Sequence, residues 1–302
     1  MQFHQQQFRM GMNTPICQDD ADARAAIERL DARGRHQLVA HGGCRVAWHA
    51  FGDGPPLVLL HGGHGSWLHW VRNIEPLAER FTVWVPDLPG YGKSGAPPAD
   101  TLDALVDTTC VTLDAVVGAD RAIDLAGFSF GGLVAAHIAG RRGNIARLAL
   151  LGPAGHGTTR RPRSTLRNWR RAADTGDTAA LAEAMRHNLA AHMLHDPAAI
   201  DALALHIHTD ACLRTRFHSK RVGLAGGLWE ALDRQHGRLL VAWGEHDVTT
   251  TPVDADGLLA QRQPACSTYV IPGAGHWVQY ERADAINRLL LGWLDTGHRP
   301  EM

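Results

Sequence analysis

The motif GFSFGG at residues 127–132 holds the serine best suited to nucleophilic chemistry. It follows a run of strand-forming residues and precedes a helical segment, so Ser129 would stand on a sharp strand-to-helix turn that exposes its hydroxyl. Gly127 and Gly131 leave room for such a turn, and the N-terminus of the following helix favours developing negative charge. Because a glycine-rich loop with an idle serine has the same letters, this interpretation depends on partners elsewhere in the chain.

An acid and a base for this serine occur later in the sequence. Asp247 ends the stretch WGEHD after one strand-like run, and His276 follows the last such run in GHW. A histidine can take the serine proton, and a carboxylate fixes the tautomer of that histidine. Glu245 is an alternative acid, but its longer side chain and earlier position favour Asp247. The chain order Ser, Asp, His predicts a triad for acyl transfer, with these three residues as catalytic.

A glycine loop at residues 61–63 is predicted to complete the site. It follows another strand-like run, where the backbone N–H of Gly63 can point at a reacting carbonyl oxygen. The N–H of Phe130, directly after the nucleophile, would be the second donor of this oxyanion hole. Each donor contributes on the order of 3 kcal/mol in the transition state. An ordinary tight turn is the alternative for this loop, and His61 is expected to support the loop rather than to act as a base.

The elements that must position these residues alternate between short apolar runs and longer segments of helical period, which predicts a mostly parallel sheet. About eight strands are expected, the first two forming a hairpin around residues 41–43. Residues 1–36 read as a tail and a short helix, and residues 37–152 and 236–302 as the sheet domain. Residues 153–235 contain helical patterns without a convincing strand, so they predict a helical insertion.

Together these motifs resemble the α/β-hydrolase superfamily over about residues 37–295, nearly the whole chain. The resemblance also rests on DLPGYGKS at residues 87–94. It implies an α/β-hydrolase fold, a mostly parallel eight-stranded sheet flanked by helices with a helical cap formed by residues 153–235. It further implies a small-molecule substrate and chemistry that needs no metal and no organic cofactor.

Two stretches, residues 70–74 and 275–284, resemble the meta-cleavage product hydrolases, which cleave C–C bonds during aromatic degradation. The chain departs from that family's pattern at two places. Phe128 stands where the family has an asparagine that binds the polar head of the substrate. His206 falls where the family has a cap arginine, although Arg214 and Arg216 are close by.

These departures make a carboxylic ester hydrolase, acting through an acyl-enzyme, the leading functional prediction. A C–C bond hydrolase of the meta-cleavage type is the first alternative. A perhydrolase and a non-catalytic receptor with the hydrolase fold remain further alternatives. Substrate contacts are expected from His64 beyond the oxyanion loop, from Phe128 before the nucleophile, and from Trp277 beside His276.

Composition excludes several other classes. The formal net charge of −1 gives no field for gathering nucleic acid or coating an anionic membrane. Five widely spaced cysteines fit neither a disulfide framework nor a zinc site, so a cytoplasmic protein with reduced thiols is expected. No apolar run is long enough to cross a bilayer. A homodimer is compatible with the sequence, which does not determine the oligomeric state.

Two features of the insertion have a plain and a functional interpretation. Six of its histidines lack a metal-binding pattern, so no metal site is predicted there: His187, His192, His195, His206, His208 and His218. Its start, residues 159–171, is rich in arginine. A solvated cap surface is favoured for this stretch, with steering of anionic substrates as the alternative.

Overall fold

The computed structural model describes residues 19–158, 161, 163–224, 226–235, 237–251, 257, 259, 262–263 and 265–295. The tail predicted for residues 1–18 lies outside these ranges. So do most of residues 254–261, for which the sequence pattern predicts a helix. No helix in the described ranges has the length and apolar character needed to cross a membrane.

Eight strands form one sheet in the order β1-β2-β4-β3-β5-β6-β7-β8. β1 pairs with β2 and β2 with β4 in antiparallel fashion, and all other neighbours are parallel. The predicted hairpin and the mostly parallel eight-stranded sheet are therefore confirmed. The strands are β1 Arg35–His41, β2 Cys44–Phe51, β3 Pro56–Leu60, β4 Thr82–Pro86, β5 Ile123–Phe128, β6 Ile145–Leu151, β7 Arg238–Gly244 and β8 Ser267–Ile271.

Helices connect the strands and cover both faces of the sheet. The α-helices are α1 Asp20–Asp31, α2 Ile74–Ala78, α3 Leu102–Val117, α4 Phe130–Arg142, α5 Arg170–Thr175, α6 Thr178–Asn188, α7 Ala202–Arg214, α8 Ser219–Leu224, α9 Leu228–Leu232, α10 Val278–Glu281 and α11 Ala283–Asp295. Short 3₁₀ turns occur at Trp67–Trp70 and Pro197–Ala199, and a π-helical turn at Leu189–Met193 extends α6. Between β6 and β7 the described residues contain helices and no strand.

The sequence of residues 67–80 has helical periodicity and predicts one helix, but this segment is broken in the structure. A 3₁₀ turn, Trp67–Trp70, is followed by the separate short helix α2. Pro76 in α2 has no N–H, and its ring would clash with the carbonyl of residue 72 in a continuous helix. The break places the 3₁₀ turn against the edge of the sheet where the site lies.

The core consists of two apolar layers, one on each face of the sheet. Alternate residues of β3 show the arrangement, because Val58 and Leu60 join one layer while Leu57 and Leu59 join the other. Helices α3, α4 and α9 cover the first layer, and α1, α2 and α11 cover the second. Strands β2 to β7 are thus mostly buried on both sides, whereas β1 and β8 at the two edges are largely exposed. Polar chemistry is left to the edge where the parallel strands end.

Candidate active site

Ser129 lies on the turn between β5 and α4 with φ 53° and ψ −117°, a left-handed conformation that non-glycine residues rarely adopt. The neighbouring glycines make this turn sterically accessible. A Cβ on Gly127 would lie 2.3 Å from the carbonyl oxygen of Gly131, and a Cβ on Gly131 would lie 2.3 Å from that of His61. The backbone strain at Ser129 is of the kind that is stored at functional sites.

The structure brings Ser129, His276 and Asp247 into one hydrogen-bonded chain. Ser129 Oγ is 2.9 Å from His276 Nε2, and His276 Nδ1 is 2.8 Å from Asp247 Oδ2. Both His276 and Asp247 are buried. Glu245, the alternative acid, is exposed and accepts a hydrogen bond from the Gly273 N–H, so it takes no part in this chain.

Thr249, which was not predicted from the sequence, fixes the second oxygen of Asp247. Its backbone N–H and its hydroxyl donate to Asp247 Oδ1 over 2.8 and 2.7 Å. Burial by itself would raise the pKa of Asp247, but the charge and hydrogen bond of His276, together with the two Thr249 bonds, hold this pKa below its usual value. The carboxylate is therefore kept ionised beside the imidazole.

Two backbone N–H groups lie beside the serine. The N–H of Phe130 is the first of α4 and has no acceptor within the helix. The loop that contains Gly63 passes close by, since a Cβ on Gly62 would lie 3.1 Å from Ser129 Cβ, and one on Gly63 would lie 3.7 Å from Phe130 Cβ. The Gly63 N–H has no hydrogen-bond acceptor among the described residues.

His61 holds this loop in place. It is fully buried, and burial lowers its pKa to about 4, so the ring is neutral near pH 7. Its Nδ1–H donates to Gly62 O over 2.8 Å, and its Nε2 accepts the Leu88 N–H over 2.9 Å. With both nitrogens engaged in backbone bonds, His61 has no capacity left to act as a base, as the sequence indicated.

His69, in the 3₁₀ turn after this loop, was missed by sequence reasoning. It is buried, and its Nδ1 accepts the Gly62 N–H over 3.2 Å, which leaves the proton on Nε2. In the described structure His69 Nε2 is buried and has no hydrogen-bond partner. A histidine inside an otherwise aromatic and aliphatic segment was the available signal, and it offers a donor near the reacting atoms.

Phe128 and Trp277, from which substrate contacts are expected, both have buried side chains. Phe128 is 1% exposed and packs on the His276 ring, with centroids 5.0 Å apart. Trp277 is 0% exposed, stacks on Tyr280, and donates its Nε1–H to His69 O over 3.0 Å. The Phe128 ring therefore packs beside His276, whereas the Trp277 ring packs against His69 and Tyr280.

His64 is half-buried and has φ 52°. Burial lowers its pKa, and so do the charges of Arg170, His218 and Lys220. These charges come from the insertion, so His64 lies where the Gly63 loop approaches the insertion. It is not among the residues that line the cavity at the serine.

A cavity of about 130 Å³ opens beside Ser129 and His276. Its wall is a glycine-rich segment that follows β6 and that sequence reasoning did not single out. The spacing of three glycines directly after a strand was the available signal. The lining residues are Ser129, Gly152, Ala154, Gly155, His156, Gly157, Thr158, Gly223, Thr249 and His276.

The insertion is joined to the loop that carries His276 by hydrogen bonds through Glu281. This buried carboxylate accepts the N–H groups of His195 and Asp196 over 2.9 and 2.6 Å, and that of Gly275 over 2.6 Å. The Trp277 N–H also donates to Met193 O over 2.8 Å. Residues 193–196 of the insertion and the loop that carries His276 are thus held together by a network of hydrogen bonds.

The cationic side chains considered for substrate binding are engaged elsewhere. His206 Nδ1 lies 2.7 Å from Asp20 on α1, and Arg214 pairs with Asp210 over 2.7 Å. Arg216 donates to the carbonyls of Gly92 and Ser94. None of the three lines the cavity.

A strained serine followed by a helix, joined through histidine to aspartate at the edge of a mostly parallel sheet, is the arrangement of α/β hydrolases. The model of the Alpha/beta hydrolase family matches residues 57–289 of the chain. The chain therefore belongs to this family, and it is a hydrolase.

Its relatives include enzymes for two kinds of bond. It is 31% identical to 2-hydroxy-6-oxo-6-phenylhexa-2,4-dienoate hydrolase of Burkholderia cepacia over 271 residues, which cover 84% of this chain and 92% of the relative. A stretch of 92 residues is 46% identical to pimeloyl-[acyl-carrier protein] methyl ester esterase of Vibrio campbellii and covers 30% of this chain and 34% of that protein. The structure of a meta-cleavage product hydrolase from Pseudomonas fluorescens IP01 matches in fold, with TM-score 0.70, 20% identity, and coverage of 86% and 97%.

Proposed function

We propose that the protein is a serine hydrolase that cleaves carboxylic esters through an acyl-enzyme. The observation that carries this proposal is the hydrogen-bonded chain from Ser129 Oγ through His276 to Asp247, with distances of 2.9 and 2.8 Å. A serine hydroxyl needs a base in contact with it, and the base needs an acid that fixes its tautomer. Both requirements are met before any substrate binds.

In this mechanism Ser129 Oγ attacks the ester carbonyl carbon while its proton moves to His276 Nε2. The negative charge that develops on the carbonyl oxygen is stabilised by the N–H groups of Gly63 and Phe130. His276 then protonates the departing alkoxide, which leaves as the alcohol. Water, deprotonated by the same histidine, attacks the acyl-enzyme and releases the acid together with free Ser129. Each proton is returned, so no metal or organic cofactor is needed.

The surroundings of the serine favour an ester over a polar dienoate. Phe128 cannot donate a hydrogen bond, and the cationic candidates His206, Arg214 and Arg216 are bonded away from the cavity. The cavity of about 130 Å³ is close to the roughly 150 Å³ that accommodates benzene in an apolar protein cavity. An acyl group of about the size of a benzoyl or a short alkanoyl group is the expected occupant.

A C–C hydrolase is the second candidate. The 31% identity to the dienoate hydrolase of Burkholderia cepacia over most of both chains favours it. The two candidates differ in substrate and share the same serine.

Covalent labelling with a fluorophosphonate, followed by turnover assays, tests the proposal. Wild-type protein is expected to be labelled once and Ser129→Ala not at all. Failure to label folded wild-type protein would refute the nucleophile and favour a non-catalytic receptor. Short-chain and aryl esters should then be turned over faster than a phenyl-substituted dienoate, whereas the reverse order would select the C–C hydrolase. Faster reaction of the acyl-enzyme with peroxide than with water would select a perhydrolase.

The cytoplasmic location expected from the sequence is part of the same proposal. Four cysteines are described, and all four are free thiols: Cys44, Cys110, Cys212 and Cys266. Free thiols in several parts of one fold fit a reducing compartment. Alkylation of the native protein isolated from cells, followed by mass spectrometry, would reveal any disulfide that contradicts this location.

A further inference from the structure

Three side chains away from the serine bring metal-binding atoms together. Asp31 is the last residue of α1, and His36 and His49 are direct cross-strand partners on β1 and β2. Asp31 Oδ1 lies 3.7 Å from His36 Nε2 and 3.7 Å from His49 Nε2, and all three atoms lie within 4.8 Å of one another. Among the described residues this is the one group of three or more histidine, cysteine or acidic side chains with such spacing.

The central oxygen of this group lacks a hydrogen bond. Asp31 Oδ1 is buried and has no hydrogen-bond partner in the described structure, since both histidine nitrogens are too distant for one. Its second oxygen is 3.8 Å from the ammonium group of Lys93, an ion pair at the solvent edge. A buried carboxylate oxygen without a donor is costly unless a cation occupies the space in front of it.

The ring of His49 is held in the orientation that metal binding requires. Its Nδ1 is 3.3 Å from Val85 O, so the ring proton belongs on Nδ1 and the Nε2 lone pair faces Asp31. The Trp67 ring stacks on it with centroids 4.4 Å apart. A backbone carbonyl on the far nitrogen is the usual outer partner of a metal-bound histidine.

We propose that Asp31, His36 and His49 bind one divalent transition-metal ion, with zinc as the reference case. In a tetrahedral zinc site with bonds of about 2.0 Å, adjacent ligand atoms are separated by roughly 3.3 Å. The two 3.7 Å separations from Asp31 need to shorten by a few tenths of an ångström, and the separation of the two histidine Nε2 atoms, which is within 4.8 Å, by at most about 1.5 Å. Solvent can supply the remaining ligand, because the His36 side chain is 45% exposed and that of Asp31 32%.

Binding exchanges one weak interaction for a stronger one. His36 Nε2 lies 3.0 Å from the Asp31 carbonyl oxygen and donates to it in the metal-free state. When the ion takes the Nε2 lone pair, the proton moves to Nδ1 and this hydrogen bond is given up. The ion then links the end of α1 to the β1–β2 hairpin, so its role is to fasten the N-terminal helix to the sheet. The proposed hydrolysis at Ser129 does not involve it.

Calorimetric titration of untagged, chelator-treated full-length protein with Zn²⁺ tests this site, with Co²⁺ absorption as a second readout. Wild-type protein is expected to bind one ion and to unfold at a higher temperature when loaded. Asp31→Asn and His36→Asn should each weaken binding by more than the roughly 10–100-fold that loss of an outer-sphere partner costs. Two control variants outside the group, His41→Asn on β1 and Asp53→Asn just after β2, should bind as wild type does.

Two outcomes would overturn the proposal. The first is an absence of saturable one-to-one binding to wild-type protein. The second is equal affinity in all four variants, which would assign the ion to another part of the chain. Far-ultraviolet circular dichroism of each metal-free variant verifies that it folds. Since the site variants leave Ser129 untouched, their fluorophosphonate labelling should remain normal, so failure of the metal site and failure of the hydrolase proposal are distinguishable.

Discussion

Gly152 offers a sharp test of the proposed triad, since it touches the acid and the base without contributing a side chain. It follows β6 with φ 49°, and its N–H donates to Ala242 O over 2.8 Å. A Cβ at this position would lie 2.9 Å from Asp247 Oδ2 and 3.2 Å from His276 Nδ1, the two atoms that form the 2.8 Å hydrogen bond. Gly152→Ala therefore inserts one methyl group against this bond.

The size of the effect follows from these distances. Ordinary contact begins at 3.4 Å, so the carboxylate must retreat by about 0.5 Å, and the Asp247–His276 hydrogen bond lengthens or bends accordingly. A displacement of about 1 Å in a catalytic group costs on the order of 100-fold in rate, so a loss of about 10–100-fold in kcat is expected. The left-handed backbone adds about 1–2 kcal/mol to the cost of folding.

Gly143→Ala is the matched control. Gly143 has φ 78°, caps α4, and would have no atom within 4 Å of its Cβ. Gly143→Ala therefore places alanine in a left-handed backbone conformation, as Gly152→Ala does, but its methyl group meets no neighbouring atom. Both variants would be assayed for kcat on an aryl ester, and thermal unfolding would correct for the folded fraction. Equal kcat in the two variants would refute the claim that the Asp247–His276 contact governs the rate.

Three further predictions follow from the contacts around this site. Thr249→Val removes one charge-assisted hydrogen bond from Asp247 and should lower kcat about tenfold, equivalent to ~1.4 kcal/mol; an unchanged kcat would contradict this role. Glu281→Gln should lower the free energy of unfolding by about 2 kcal/mol and also reduce kcat, because the Gly275 and cap N–H groups lose a charged acceptor; urea denaturation and the ester assay measure both. As pH falls from 6.5 towards 4, unfolded chains take up a proton that buried His61 does not. Over that interval the free energy of unfolding of the wild type should therefore fall by about 3 kcal/mol more than that of His61→Gln. Parallel curves of unfolding free energy against pH for the two proteins would argue against a neutral His61.

The convergence of Ser129, Asp247 and His276 was predictable because each of them follows a strand within a short local motif. The parallel strands β5, β7 and β8 end at one edge, so Ser129, Asp247 and His276 had to converge once the sheet order was inferred. The same logic holds for the loop at Gly63. In these cases chain direction and strand order alone determine the position of the residue.

The roles of Phe128 and Trp277 could not be inferred in this way. Whether a ring faces a ligand or the core depends on packing with partners distant in sequence, such as Trp277 with His69. The group of Asp31, His36 and His49 was equally invisible, because it requires the exact register of the hairpin together with the end of α1. The helix break at Pro76 was readable locally, since proline removes the N–H that a continuous helix needs.

The hydrogen bonds that Glu281 accepts limit which part of the insertion can be replaced, in the laboratory or in evolution. Replacing the whole insertion between the ends of β6 and β7 would remove the His195 and Asp196 N–H groups. The buried carboxylate of Glu281 would then lack hydrogen-bond donors close to the loop that carries His276. The workable splice point is therefore inside the insertion, after residue 196. Residues 193–196 therefore belong structurally with the sheet domain. The segment that can be exchanged freely is shorter than the whole helical insertion.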